Sequence, residues 1–381
     1  MSKEIVLPLP MEYKKLYMRP ELFKEKKEFA ERFIDDEPGM KNMGFIRKVL
    51  PSNEVQSNNM IEGYSDDIEK INFVVRKKNS YKTTKNEQKR RIINLVNGYN
   101  FILKNKEINK QNLRKLYNIL SKDLLSEEDL SNMGEYYRKN DVFIYYSSVL
   151  SKKPDMGLSP DKVEEYMNYL FDFIKGFPTD GTLTDEFIKS QIMHFYFVYI
   201  HPYYDINGRT ARTTSIWQLV NEKAYPFIIF NRGIQINKSE YCKVIRDIKK
   251  FGNINFFINY MLDSVILELK KEHVMQSIAE SCPSKLTATD YQTLHYLLSI
   301  NGLCTALDFV NIYNNFNDKQ KGLYLQEHML EPLIDKGIII PNRDTKRFIA
   351  SDIPNYVINL NQKYIDDSKD LSGISILKKK A

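Results

Sequence analysis

The chain has 381 residues, 42% of them hydrophobic and 28% charged, an ordinary balance for a soluble globular protein with two or three domains. Its net charge of +7 over that length admits an anionic ligand without calling for nucleic acid. No apolar run reaches the roughly 18 residues of a membrane helix, the N-terminus lacks a signal-peptide pattern, and Cys242, Cys282 and Cys304, odd in number and without metal or redox spacing, point to a reducing cytoplasm.

Residues 1 to about 85 are polar and mixed, with a charged amphipathic helix expected over Pro20 to Ile34 and a helix border at Asn58 to Gly63. Lys77 to Asn86 reads as a basic linker. Helical periodicity then takes over at Arg91 to Leu103 and Asn109 to Leu120. Val142 to Tyr146 has the β-branched and aromatic content of a strand, with a second strand near Val149 to Leu150 closing a hairpin. Ser159-Pro160-Asp161 opens a helix that runs to about Lys175, where Gly176 and Pro178 stop it. Asp185 to Ile200, Thr210 to Glu222 and Lys238 to Leu269 complete a mostly helical core.

Cys282-Pro283-Ser284 reads as a linker. After it come helical patterns at Ala288 to Ile300, Ala306 to Tyr313 and Gln320 to Asp335, the last kinked by Pro332 and ended by Gly337. Ile338 to Ile340 and Arg347 to Ala350 read as strands around an Asn342-Arg343-Asp344 turn. Three helices and a hairpin are the order of a winged helix. The tail after Asp352 is expected to be weakly structured.

The segment His201-Pro-Tyr-Tyr-Asp-Ile-Asn-Gly-Arg-Thr-Ala-Arg212 gathers chemistry between an apolar incoming helix and an outgoing one. Gly208 permits close backbone approach and a positive φ. Backbone N–H groups entering a helix form a nest for phosphate oxygens. Arg209 and Arg212, three apart, share a helix face and suit two phosphates of one polyphosphate. Asp205 is a hard oxygen donor for Mg²⁺ completed by phosphates. His201 is a base for an attacking hydroxyl. His194, seven residues upstream, lies ~10 Å away along the helix axis. It reads as a core or interface histidine. Tyr203 reads as an apolar anchor for the loop.

At these residues the chain resembles the Fic family, whose signature is H-x-F-x-(D/E)-G-N-G-R-x-x-R. It matches at His201, Asp205, Asn207, Gly208, Arg209 and Arg212. The resemblance implies a mainly α fold with a helical core over residues 89–275 and a β-hairpin flap. It also implies transfer of AMP from ATP to a Ser, Thr or Tyr hydroxyl of a protein target. His201 would deprotonate that hydroxyl and Asp205 would hold Mg²⁺. Asn207, Gly208 and Arg209 would bind the α- and β-phosphates, and Arg212 the γ-phosphate. Tyr203 stands where the signature has Phe. Ile206 replaces its first Gly, and because a β-branched residue disfavours positive φ, the nest is expected to be reshaped there. That leaves donor choice open to another group, or to removal of AMP. Tyr137-Arg138 followed by Val142 and Ile144 resembles the family segment leading into the flap, which would align a target by main-chain pairing.

Upstream, Asn58-Asn-Met-Ile-Glu62-Gly63 resembles the family's inhibitory motif (S/T)-x-x-x-E-(G/N), with Asn58 in the Ser/Thr position. Glu62 would then pair with Arg212 and occupy the γ-phosphate subsite, within one chain or across a homodimer. The domain plan expected is an N-terminal helical region carrying that motif (1–88), the Fic-like core, a winged-helix domain (285–352) and a tail (353–381). The segment Asp318 to Lys336 is net acidic and lacks arginine, a poor footprint for DNA. A packing, dimerising or target-recruiting module is favoured over a DNA-binding regulator, and no membrane partner is expected.

Overall fold

The computed structural model describes residues 4–77, 85–145, 154–177, 179–301, 303–317, 319–342, 356–366 and 368–377. They divide into two compact units: 1–63 with 73–265, and 64–72 with 266–381. No described helix is long and apolar enough to cross a membrane.

The first unit begins with a hairpin, β1 (Ile5–Met11) antiparallel to β2 (Lys14–Met18), in a segment expected to be helical or irregular. Leu7, Leu9 and Met11 alternate inward, but Pro8 and Pro10 lie between them. Proline cannot donate to a ladder and argues against a strand. The register breaks between Val6 and Pro10 to accommodate it. The helix α1 (Lys24–Asp35) follows. Next, α2 (Met43–Val49), a wider turn at Leu50–Glu54 and α3 (Val55–Ile61) wind on continuously. Pro51, which lacks an N–H, sits in that wider turn. The short helix α4 (Ile68–Arg76) runs through the division at residue 72.

The periodic helices of the core start where an asparagine or threonine caps them. Asn86 caps α5 (Glu87–Lys104), Asn109 caps α6 (Lys110–Ser121), and a short α7 (Glu127–Ser131) is capped by Ser126. The strand β3 (Phe143–Ile144), within the stretch expected as a strand, pairs antiparallel with β4 (Asp155–Met156). The expected partner at Val149 to Leu150 lies outside the described residues. Then come α8 (Val163–Gly176) and α9 (Leu183–Ile200), the second capped by Thr182. Fifteen of the 18 residues of α9 are buried, so it is the unit's central helix and not an amphipathic surface one. It packs along α10 (Asn207–Asn221) through the loop 201–206.

The single helix expected over Lys238 to Leu269 is instead two. After α11 (Phe230–Ile236) come α12 (Lys238–Phe251) and α13 (Asn255–Ser281). They part at Gly252, whose φ is +71° and whose absent side chain admits the backbone of Lys15, 2.6 Å from where a Cβ would stand. The second of these helices runs past residue 265, where the units divide.

In the second unit, α14 (Ala288–Ser299) and α15 (Ala306–Phe316) both open on capping boxes, Thr287 with Asp290 and Thr305 with Asp308. The third pattern breaks into α16 (Gly322–Leu325), a wide turn at Gln326–Leu330 and α17 (Glu331–Asp335). Pro332 is the cause: it falls in the first turn of α17, where its missing N–H is tolerated. The strand β5 (Ile339–Asn342) pairs antiparallel with β6 (Val357–Leu360), Ile339 opposite Leu360. The strand expected at Arg347 to Ala350 lies outside the described residues. The tail expectation is corrected. Tyr356, Leu360, Tyr364, Leu371, Ile374 and Ile376 are buried with Leu294, Phe309 and Leu330 in this unit's core.

Candidate active site

The residues singled out from His201 to Arg212 meet in the first unit, on the end of α9, the loop 201–206 and the first turn of α10. His201 is the left-handed cap of α9, with φ +53° and its N–H donating to the Phe197 carbonyl at 2.9 Å. For a residue with a Cβ that conformation costs about 1 kcal/mol. Its Nδ1 lies 3.3 Å from the Val198 carbonyl, which can only accept. The ring proton therefore sits on Nδ1, and Nε2 carries the lone pair. Burial pushes the imidazole down to a pKa of about 3, Lys249 and Arg138 push the same way, and the Val198 bond and Glu62 offset part of this. His201 is thus neutral at physiological pH and able to accept a proton.

The loop after His201 is fixed by aromatic packing and by one amide. Tyr203 is fully buried, stacked on Tyr117 with ring centroids 3.7 Å apart, and tilted against Tyr137 and Phe197. The buried Asn207 side chain accepts from the Tyr203 N–H at 3.0 Å and donates to the Tyr203 carbonyl at 2.8 Å. With its amide committed to the loop, Asn207 offers an anion its backbone N–H. The first backbone bond of α10 is from Thr210 N–H to the Ile206 carbonyl, at 3.0 Å. The N–H groups of residues 207–209 therefore have no acceptor within the helix and form its anion-attracting end.

The positive φ expected at Gly208 falls instead on Ile206, at +63°. The loop thus holds a left-handed turn with a β-branched residue in it. The Ile206 side chain is 2% exposed, and its N–H and carbonyl are held by Asp205 Oδ1 at 2.6 Å and Thr210 Oγ1 at 2.8 Å. These contacts over-determine a conformation that is disfavoured in isolation. Gly208 answers to a different need. A Cβ there would stand 2.6 Å from Glu62 Oε1 and 3.1 Å from Arg212 Nη1.

Glu62 caps the C-terminal end of α3 and is followed by Gly63 at φ +90°. Its Oε1 accepts from Arg212 Nη2 at 2.5 Å within the one chain. The carboxylate side chain is 29% exposed and the guanidinium 2%. Burial pushes the carboxyl up, but the charges of Arg212 and Arg209, the Arg212 hydrogen bond and Lys238 outweigh it and hold Glu62 below the usual carboxylate range. Asn58 is fully buried beside it, and its Oδ1 accepts from Arg212 Nε at 3.0 Å and Nη2 at 2.8 Å. The helix carrying both residues is buried throughout. It is anchored at its start by buried Glu54, which accepts from Asn231 at 3.0 Å and faces Arg232 at 4.0 Å. Asp205 is exposed at the mouth of the loop, and Arg209 is buried.

His194 is a core histidine. It is fully buried, with Nδ1 3.2 Å from Gln191 Oε1 and Nε2 3.0 Å from the Tyr241 hydroxyl. Two cations lie beside the site: Lys249 carried no functional signal in the sequence, and Arg138 was singled out there only as part of the Tyr137-Arg138 segment. Lys249 pairs with Asp155 of β4 at 3.9 Å, and burial pushes it down to about 8. Arg138 is buried against backbone carbonyls, including that of His201 at 2.7 Å.

A family model described as the Fic/DOC family matches residues 107–219, a stretch that holds α6 to α9, the whole loop and α10 up to Leu219. Among solved structures, a Fic family protein from Desulfovibrio desulfuricans is similar at 17% identity and a TM-score of 0.53, over 90% of this chain and 95% of that one. Fic-1 from C. elegans is similar at 15% identity and a TM-score of 0.49, over 69% and 75%. Residues 107–219 of this chain thus match the Fic/DOC family, and the chain's mainly helical fold is similar to that of the Desulfovibrio desulfuricans protein.

Proposed function

We propose that this chain is a protein adenylyltransferase that moves AMP from ATP to a hydroxyl of a protein, and that Glu62 restrains it. The observation that carries the reading is the pairing of a neutral imidazole with a cationic helix end across one short loop. His201 Nε2 is the proton acceptor for the attacking hydroxyl, whose oxygen forms the new bond to the α-phosphorus as pyrophosphate leaves. The N–H groups at the start of α10 and the guanidinium groups of Arg209 and Arg212 bind the phosphates and stabilise charge on the departing group.

Asp205 fits Mg²⁺ as one carboxylate donor among phosphate oxygens and waters. Among the described residues no group of three or more His, Cys, Asp or Glu side chains could hold a metal ion, and in this reading the nucleotide supplies the further ligands. When bound, the ion neutralises phosphate charge. Glu62 occupies Arg212 and overlies Gly208, which is where a third phosphate would go. ATP then binds only in an unproductive pose. The hairpin side chains Phe143 and Met156 are exposed, and in this reading a target segment would pair alongside the hairpin.

The test is transfer of label from α-labelled ATP into protein, with His201→Ala as control. The expected result is α-label incorporation that His201→Ala abolishes. Incorporation from γ-labelled ATP alone would move the reading to phosphoryl transfer, and α-label that persists in His201→Ala would refute the role of the imidazole.

A further inference from the structure

We propose that Arg138 is a positioning residue for this reaction, one guanidinium that fixes the base His201 and the β3–β4 hairpin to each other. The inference rests on the transfer reading above. Its geometry does not. The side chain is 3% exposed, and among the described residues its hydrogen bonds go to backbone carbonyls. Nε donates to His201 at 2.7 Å and Nη1 to Asn140 at 2.7 Å, while Nη2 reaches Leu158 and, at 3.4 Å, Ile200. The Arg138 N–H donates to the Pro202 carbonyl at 3.0 Å.

These acceptors belong to two functional parts. Ile200, His201 and Pro202 are the end of α9 and the start of the loop, where helix carbonyls lack intrahelical donors. Asn140 lies just before β3 and Leu158 just after β4. Gly157 closes the join: its N–H donates to the Val142 carbonyl at 2.9 Å, and a Cβ there would stand 2.7 Å from Val142 Cγ2 and 3.2 Å from Arg138 Nη2. The strand that would present a target hydroxyl and the imidazole that would take its proton are therefore registered through one rigid fork. A guanidinium has five donors in fixed directions in a plane, whereas an ammonium has three around a point. Lysine keeps the charge but cannot span the set.

The test uses full-length protein with Glu62→Gly as reference and adds Arg138→Lys and, separately, Arg138→Met. Both should lower kcat on the order of 100-fold. ATP affinity, measured by calorimetry, should stay within about 3-fold, because the phosphates bind elsewhere. Hydrogen exchange should quicken at residues 142–145 and 155–158 and remain slow in α10. An unchanged kcat, or kcat and ATP affinity falling together with loss of protection in α10, would overturn the proposal. If Arg138→Met does not fold, Arg138→Lys decides alone. If the reference transfers no AMP, the transfer reading fails by itself, and exchange still judges Arg138: unaltered rates at 142–145 and 155–158 would refute the clamp.

Discussion

Replacing Ile206 with glycine sets two opposed effects against each other. The left-handed backbone at φ +63° costs a residue with a Cβ about 1–2 kcal/mol, which glycine recovers. The lost side chain is 2% exposed, and truncating a buried isoleucine costs about 2–5 kcal/mol. Glycine's extra freedom in the unfolded chain costs a further ~0.4–1 kcal/mol. The expected net is a loss of roughly 3 kcal/mol, with burial outweighing strain. Urea unfolding followed by circular dichroism measures it. Because the loop already holds the turn that glycine would adopt, ATP affinity should change little when measured below the unfolding transition. A variant more stable than the parent, or one that binds ATP tenfold more tightly, would refute the argument. It would mean that Ile206 distorts the loop after all.

Three further outcomes follow from the same geometry. Asn207→Ala leaves the buried Tyr203 N–H and carbonyl without their partner, and should cost about 2–4 kcal/mol in urea unfolding and weaken ATP binding through a loosened loop. His194 is held near a pKa of 3, chiefly by burial and then by Arg212, against an ordinary value of 6.5. Between those values the unfolded chain binds a proton that the folded chain does not, so stability falls as pH drops through that window. The slope is about 1.4 kcal/mol per pH unit, and His194→Gln should lower the measured slope by that amount. Gly252→Ala forces a Cβ toward the Lys15 carbonyl at φ +71° and should destabilise by at least about 2 kcal/mol in thermal or urea unfolding, whereas Gly176→Ala, open at its Cβ, should not.

The helices of the core were legible chiefly from their apolar content and spacing. Asn109 begins a helix whose buried face repeats as expected, while the caps Asn86 and Thr182 emerge only from the structure and the helix after Thr182 is buried nearly all round. The loop was legible because its residue types have few other uses together. Other features had no such signal. Pro8 and Pro10 hide the first hairpin, since the inward alternation of Leu7 and Leu9 is set against residues that ladders exclude. Gly252 was present as a break, but apolar spacing on either side outweighed it. The partner of β5 lies far along the chain, where no turn signal fixes pairing. Arg138 was legible as part of the Tyr137-Arg138 segment, but the carbonyls it binds belong to backbone that every residue has, so its contacts come from the fold. Ile206 was legible as a departure, but the contacts that hold its left-handed turn come from the fold.

The restraint by Glu62 is tested most directly by the ratio of initial rates of α-label transfer, Glu62→Gly over the parent protein, at saturating ATP. A charge-assisted bond to a buried guanidinium contributes about 1.5–3 kcal/mol, or roughly 10- to 100-fold in the population of the productive pose. The ratio should lie in that range and be lost when His201→Ala is added. A ratio of one, with transfer occurring in both proteins, would contradict it.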